Sequence, residues 1–232
     1  MTSPLLSVAL FHLGPAPITA GVVTTWAIMA ALVVCAALIA RRLSLVPSPA
    51  QAFCELIVAT VDGQIRDTMR VEPGPYRAFI GTLFLFIFVA NWSSLIPGVV
   101  PPTAHLETDA ALALLVFLAI IWFGVRAGGL RGYLATFASP SPIMIPLNFV
   151  ESLTRTFSLL VRLFGNVMSG VFVVGIVLSL AGLLVPIPLM ALDLLTGAVQ
   201  AYIFVVLAMV FIAGAIDPGS SAPDDSSQRT PP

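Results

Sequence analysis

The sequence contains no lysine, and charged residues of any kind make up only 9% of its 232 residues. All ten basic residues are arginines, so a Schiff-base or phosphate-anchoring lysine is lacking, which excludes most covalent and nucleotide chemistry. The two cysteines and the two histidines do not have the spacing of metal ligands or of a disulfide framework. No phosphate-binding loop, dinucleotide-binding turn or Gly-x-Ser-x-Gly elbow is present. We therefore expect no catalytic chemistry of the chain's own, no cofactor and no metal.

Apolar residues are in large excess, at 59% of the chain, and the mean hydropathy is +1.05. Such values lie outside the range of soluble domains. A membrane-spanning helix needs about 20 apolar residues, and five runs meet that length. We expect an all-α membrane protein with about five transmembrane helices, one amphipathic interfacial helix and a long, tilted C-terminal helical hairpin. The single membrane domain covers residues 18–216, and its predicted spans are 18–40, 78–96, 110–125, 147–180 and 189–216.

Three segments lie outside these spans. Residues 1–17 contain three prolines and are predicted to form an irregular lead. Residues 49–70 repeat apolar residues at helical intervals, which predicts a helix lying along the membrane surface or, alternatively, a loop helix packed on its neighbours. Residues 217–232 are rich in Ser, Pro and Asp and are predicted to be a disordered tail. We expect the first span to be retained, because a signal peptide would have a charged residue before it.

The arginines indicate the orientation in the membrane. Five of them lie in the segment between the first two spans, and two follow the third span. Residues 97–109, by contrast, contain acidic residues and no arginine. The positive-inside rule therefore places the N-terminus outside and the C-terminus in the cytoplasm. These seven arginines are Arg41, Arg42, Arg66, Arg70, Arg77, Arg126 and Arg131.

Arg162 stands within an apolar run and needs a physical explanation. An arginine at the centre of a spanning helix costs roughly 2.5 to 3.5 kcal/mol on insertion scales, and it cannot lose its proton to avoid that cost. It can snorkel to the interface or form a structural ion pair, or it can hold another charge in a water-filled cavity. Its neighbours favour the last alternative, because small or polar residues recur at steps of three and four and leave one helical face thin. These residues are Ser158, Arg162, Gly165, Asn166 and Ser169.

The run Arg162-Leu163-Phe164-Gly165-Asn166, followed 34 residues later by Gln200-Ala201-Tyr202, resembles subunit a of rotary, F-type ATP synthases. The Leu95-Ile96-Pro97-Gly98 turn and Pro101-Pro102-Thr103 occur in the matching order. The resemblance covers roughly residues 20 to 216. It implies a stator subunit that provides two ion half-channels and places Arg162 against carboxylates on a ring of c subunits.

The same resemblance implies the partners and the location. The partners would be the c ring, the peripheral-stalk b subunits, the rest of the ATP synthase complex and the lipid bilayer, with no nucleic acid. The location would be the bacterial inner membrane. The translocated ion is expected to be the proton, with sodium kept open because Thr154-Arg155-Thr156 and Asn166-Val167-Met168-Ser169 resemble a divergent branch with sodium-carrying rings.

The last two spans form a predicted antiparallel hairpin turning near residue 181, so residues whose numbers sum to about 362 should lie side by side. Arg162 would then meet Gln200, whose amide can accept a hydrogen bond without neutralising the charge. Asp193 would lie near Val171. A well-known form of the family has Glu and His at these two positions, so Asp193 is a candidate for the outer half-channel in a different arrangement. The alternative for Asp193 is a capping or interface acid near the turn.

Three further candidates complete the predicted ion pathway. Glu151 and Ser158 precede Arg162 on the cytoplasmic side and could line the inner half-channel, although Glu151 is also spaced to pair with Arg155. Asn91 lies in the second span. Both Asn91 and Asn166 could instead make ordinary hydrogen bonds between helices.

Two other functions fit an intramembrane arginine. In a secondary transporter, Arg162 would bind an anionic substrate or serve as the counter-ion of Asp193, but such folds have repeated halves and broken helices that this sequence does not show. A non-conducting scaffold would leave the cost of Arg162 and Asp193 unexplained.

Overall fold

A computed structural model describes residues 9–13, 16–41, 48–96, 99, 101–138, 145–181 and 186–216. Six helices account for nearly all of the residues in these ranges, and five of them are long and apolar enough to cross a membrane. The predicted fold class, an all-α membrane protein, is confirmed. The helices are α1 (Ala20–Ala40), α2 (Pro49–Met69), α3 (Gly74–Trp92), α4 (Leu106–Ala138), α5 (Ile145–Ala181) and α6 (Pro186–Ile216).

A small hairpin precedes α1 where the sequence predicted an irregular lead. Strands β1 (Ala9–Leu13) and β2 (Ala16–Thr19) pair antiparallel, with Ala9 opposite Thr19 and Leu13 opposite Ala16. Pro17 is compatible with this pairing because each strand of a two-stranded sheet has a free edge. The rest of the predicted lead, and the predicted tail at 217–232, lie outside the described residues.

Helix α2 is amphipathic, as the spacing predicted. It begins with the Ser48 side chain accepting a hydrogen bond from the Gln51 backbone N–H at 3.3 Å, and with Pro49 in its first turn. Its second half buries Val61, Ile65 and Met69 against the other helices. Phe53 and Leu56 in its first half are each 63% exposed, so this half presents apolar side chains away from the chain.

Two polar contacts fix α2 against its neighbours. Asp62 accepts two hydrogen bonds from the Arg77 guanidinium on α3, at 2.6 Å from Nε and 2.5 Å from Nη2. The Tyr202 hydroxyl on α6 donates to Gln64 Oε1 at 3.0 Å. The Arg77 guanidinium, as a hydrogen-bonding partner, lowers the pKa of the Asp62 carboxyl below its ordinary value.

A shared core joins α2, α3, α4, α5 and α6. Helix α3 contributes Ile80, Leu83 and Ile87, and α4 contributes Leu112, Val116 and Ile120. Two short 3₁₀ turns, Ser93–Leu95 and Pro102–Ala104, connect α3 to α4, and the second is fully buried. Helix α4 is interrupted at Gly129, where φ is 70°. By contrast, α1 lies at the periphery and most of its side chains are exposed.

Helices α5 and α6 form the long hairpin. With 37 residues, α5 is roughly 55 Å long, against about 30 Å for the hydrocarbon core of a bilayer. A helix of this length must tilt strongly to remain within the membrane. Helix α6 begins at Pro186, three residues before the predicted span, because prolines are accommodated in the first helical turn.

Candidate functional site

Helix α5 has one face in the core and another that is open. Leu159, Leu163 and Val167 recur at steps of four and are buried. The thin face predicted from the sequence is exposed over four of its five residues, and Asn166 is half-buried. The exposed residues are Ser158, Arg162, Gly165 and Ser169. No other side chain comes within 4 Å of a Cβ built on Gly165. The thin face is therefore turned away from the chain's own core.

Arg162 differs from Arg155, two turns before it on the same helix. Arg155 forms an ion pair with Glu151 and lies over the Phe211 ring, with its guanidinium carbon 5.4 Å from the ring centroid. The pairing of Glu151 with Arg155 was one of the two alternatives drawn from their spacing. Within the described ranges the only other ion pair is Arg77–Asp62, so Arg162 is an exposed cation without an internal acidic partner there.

The contact between Gly170 and Asp193 establishes how α5 and α6 align. The Asp193 carboxylate packs so closely on Gly170 that a Cβ at this position would collide with Oδ1. Their numbers sum to 363, one more than the predicted register. The predicted neighbour, Val171, lines the same cavity as Asp193. Asp193 therefore lies eight residues, or about 12 Å, along α5 from the level of Arg162.

A cavity of about 200 Å³ surrounds Asp193 at the end of the hairpin away from the arginine-rich loops. Its walls come from α5, α6 and the segment between α3 and α4. Besides Asp193 and Val171, the lining includes Ser94, Pro101, Gly170 and Val174. The Asp193 carboxyl is half-buried, so it is positioned to meet water that enters this cavity.

By the hairpin register, Gln200 lies near the level of Arg162, and its side chain is buried. Its side chain is only 6% exposed, and its Nε2 is buried without a hydrogen-bond partner. Arg162 is on the exposed face of α5. The predicted hydrogen bond between these two residues is not among those in the described part of the chain. Gln200 therefore borders the core behind the open face that carries Arg162.

Asn91 holds three segments together. Its Nδ2 donates to the Gly197 carbonyl on α6 at 2.8 Å, and its Oδ1 accepts from the Thr103 hydroxyl at 2.7 Å. A Cβ added to Gly197 would lie 3.1 Å from the Asn91 Cβ, so the small residue permits this close approach. Asn91 therefore makes the interhelical hydrogen bond that was one of its two predicted roles. Its place in the ion pathway stays a prediction.

Asn166 and Asp109 have buried polar atoms that remain unmatched. Asn166 Nδ2 has no hydrogen-bond partner, and neither carboxylate oxygen of Asp109 has one. Asp109 is 0% exposed. The sequence reasoning missed it because it was assigned to the polar loop before the third span, whereas α4 begins at Leu106. Its spacing could have predicted its burial, because Asp109 lies one turn before Leu112 and Ala113, on the buried side of α4 that continues through Val116.

The site contains no evident metal centre in the residues that the structure describes, since no three His, Cys, Asp or Glu side chains come together there. Its chemistry is instead that of one exposed guanidinium, a carboxyl group in a cavity and several buried amides. Such an arrangement can attract an anion at membrane depth and exchange protons with a cavity.

Comparison with known proteins identifies the family of the chain. The sequence profile of the family "ATP synthase A chain" matches residues 22–213. ATP synthase subunit a 2 of Bradyrhizobium sp. (strain BTAi1) is 57% identical over 215 residues, covering 93% of this chain and 96% of the relative. ATP synthase subunit a 2 of Pelobacter propionicus is 49% identical over 208 residues, covering 90% and 91%. ATP synthase subunit a 1 of Chlorobaculum parvum is 49% identical over 210 residues, covering 90% and 93%.

Proposed function

The chain belongs to the ATP synthase A chain family, and from this premise we propose that it is the stator subunit that couples ion flow to rotation of a c ring. Each ring subunit would carry a carboxylate at mid-membrane. Ions would reach that carboxylate through one aqueous half-channel and leave it through a second. The subunit has no catalytic chemistry of its own in this proposal and acts as the ion-translocating component of the complex.

The observation that carries the proposal is the exposed, internally unpaired guanidinium of Arg162. An arginine in a spanning segment needs a partner or water, and the face bearing Arg162 is open. Ser158, Gly165 and Ser169 keep that face thin, so a neighbouring helix can approach closely. A ring carboxylate is the partner whose charge fits, and it would be attracted each time it loses its ion.

In this proposal the two half-channels lie on opposite sides of Arg162. The cavity around Asp193 supports an outer half-channel about 12 Å along α5 from Arg162. Ser158 and Glu151 lie on the opposite side, four and eleven residues before Arg162, and line the inner one in this proposal. Because these openings are offset, with Arg162 between them, ions must travel on the ring and cannot cross directly.

The energies are of a suitable size for a motor. Two unit charges 4 Å apart attract by roughly 4 kcal/mol at an effective dielectric constant of 20. The membrane field supplies about 2.3 kcal/mol per charge per 100 mV. Arg162 can therefore favour the ionised ring carboxylate without holding it permanently, since a few elementary charges moving through the field outweigh the attraction.

The remaining assignments follow from the same proposal. The partners are the c ring, the peripheral-stalk b subunits and the surrounding lipid. The N-terminus lies outside a bacterial inner membrane and the arginine-rich loops lie in the cytoplasm. The ion is the proton, and sodium dependence of ATP synthesis, measured in sodium-free and sodium-containing buffers, tests that choice.

The direct test replaces Arg162 in the complete ATP synthase. We expect Arg162→Ala and Arg162→Gln to abolish ion-driven ATP synthesis in membrane vesicles, while immunoblots show the subunit inserted at normal levels. Arg155→Gln is the matched control, because Arg155 already has an internal partner, and it should retain most activity. Normal synthesis by both Arg162 variants would refute the motor proposal. Solute uptake by the purified chain alone would favour the transporter instead.

A further inference from the structure

Asp109 is a carboxylic acid buried in the first turn of a membrane-spanning helix, without a hydrogen-bond partner among the described residues. Its exposure is 0%, and both carboxylate oxygens are without a hydrogen-bond partner. Unpaired carboxyl groups are rare in spanning helices because an ionised one without partners is strongly unfavourable in hydrocarbon. The nearest titratable side chains along the chain are His105 and Glu107; the His105 ring packs on Gly21 of α1, and Glu107 is exposed.

The position of Asp109 links it to two other unmatched groups. It precedes Leu112 by one turn on α4, Asn166 lies between Leu163 and Val167 on α5, and Gln200 directly precedes Ala201 on α6. The four apolar neighbours just named all belong to one core cluster, namely Leu112, Leu163, Val167 and Ala201. Asp109, Asn166 and Gln200 therefore border the same core from three different helices.

These three residues are chemically complementary. Asp109 offers two acceptor oxygens, while Asn166 Nδ2 and Gln200 Nε2 are donors, and all four atoms are buried without partners. They are the buried side-chain polar atoms left unmatched in the part of the chain that the structure describes. Elsewhere in the core, buried polar groups such as Asn91 are matched. Unmatched groups on three helices around an otherwise matched core indicate a working site more than a structural tie.

We propose that Asp109 is a proton-carrying group of the outer ion route, in addition to Asp193, in the core that Asn166 and Gln200 also border. This inference rests on the proposed function of the chain. A hydronium ion from outside gives its proton to one Oδ atom of the Asp109 carboxylate, so that one hydronium O–H bond breaks, the neutral acid forms and water is left. Transfer to the ring carboxylate then breaks the Asp109 O–H bond, forms an O–H bond on the ring acid and regenerates the Asp109 carboxylate.

The functional test uses Asp109→Asn and Asp109→Glu in the complete ATP synthase. Asparagine keeps the shape but cannot carry a proton, so ion-driven ATP synthesis should fall about tenfold, less than the loss of a sole proton-transfer group because Asp193 remains. Glutamate keeps the carboxyl group and should restore synthesis to within about twofold of the wild type. Wild-type rates in Asp109→Asn would overturn the proposal. If Arg162→Ala is inactive in that same experiment, the proposed function stands while this inference fails.

A second measurement separates proton carriage from a structural role and also applies if Asp109→Asn does not assemble. In complexes whose Cys35 and Cys54 are replaced by alanine, Asp109→Cys is exposed to aqueous silver ions from outside. Leu112→Cys, one turn further along the same buried stripe, is the control. Inhibition of Asp109→Cys without inhibition of Leu112→Cys is the expected result. An unreactive cysteine at 109 would mean that the outer route does not reach this position, and the proposal would be wrong.

Discussion

Asn91 and Gln200 are both buried amides in apolar helices, yet their surroundings differ. Both polar ends of Asn91 are used, one by the Gly197 carbonyl and the other by the Thr103 hydroxyl. The Nε2 of Gln200 has no hydrogen-bond partner in the described part of the chain. The two arginines of α5 show the same difference, since Arg155 is paired with Glu151 and Arg162 has no acidic partner among the described residues.

This difference separates the groups that hold the chain together from those that remain available. A matched buried hydrogen bond stabilises a fold modestly, whereas leaving a buried group unmatched costs about 1 to 3 kcal/mol. Matched groups join α2, α3 and α6. Unmatched groups occur on α4, α5 and α6, with Asp109 in the first turn of α4 and with Asn166 and Gln200 inside α5 and α6. A chain that keeps such groups uncompensated has a use for them outside its own fold.

The largest expected effect comes from giving Arg162 the partner that Arg155 already has. Ser158 lies four residues before Arg162, in the same relation as Glu151 to Arg155, and it is exposed. In Ser158→Glu the new carboxylate should pair with Arg162 and compete with the ring. At roughly 4 kcal/mol for a close pair, this corresponds to up to about a thousandfold loss of ion-driven ATP synthesis. The measurement is synthesis by inside-out vesicles at a fixed ion gradient.

Ser158→Gln provides the control for Ser158→Glu, because its side chain has the same length and no charge. It should lose far less activity, since any crowding of the thin face is the same in both variants. Equal losses in the two variants would show that packing on this face matters and that competition for the guanidinium does not.

A smaller effect is expected on stability when the two buried amides are compared. Asn91→Ala leaves the Thr103 hydroxyl unmatched and should lower the unfolding free energy by about 1 to 3 kcal/mol. Gln200→Leu removes an unmatched donor and keeps the volume, so it should not lower that free energy and should raise it by up to about 1 to 3 kcal/mol. Unfolding in mixed micelles, followed by circular dichroism, measures both. If Gln200→Leu were the more destabilising variant, Gln200 would have a structural partner after all.

The sequence predicted which segments form helices better than it predicted which side of each helix contacts the others. Long apolar runs predicted the five helices that, among the described residues, are long and apolar enough to cross a membrane, because length and hydropathy depend only on local composition. Helix starts were less accurate: α3 begins at Gly74 rather than 78 because Pro75 is tolerated in a first turn. Likewise, α4 begins at Leu106 because Glu107 and Asp109 suit the positive end of a helix.

The candidate site was only partly predictable for a related reason. Small and polar residues at steps of three and four located the thin face of α5, and a simple hairpin count placed Asp193 within one residue of its contact. The unmatched atoms of Asp109, Asn166 and Gln200 lie on three helices, and periodicity along one helix does not tell which helices meet in the core. The Asn91 contact with Gly197 joins residues 106 positions apart, and the pattern of residues within one helix cannot predict such a contact.

The smallest expected effect concerns the matched pair at the edge of the bundle, Asp62 and Arg77. Because the folded-state pKa of Asp62 is lowered from 3.8, the pair contributes stability at pH values above the ordinary pKa. That contribution is lost as the pH falls through the lowered pKa of the folded state. At pH 7, Asp62→Asn should lower the melting temperature of the purified complex by at most about 2 °C, and the difference should shrink below pH 3.8.

Asp67→Asn is the matched control for Asp62→Asn, since Asp67 is an exposed acid on the same helix outside both ion pairs of the described residues. It removes the same charge and should not change the melting temperature at either pH. If both variants behaved alike, the small stabilisation would come from net charge and not from the hydrogen-bonded pair. The contrast between matched and unmatched groups would then hold only in the membrane interior, where an unmatched group has no water to replace its missing partner.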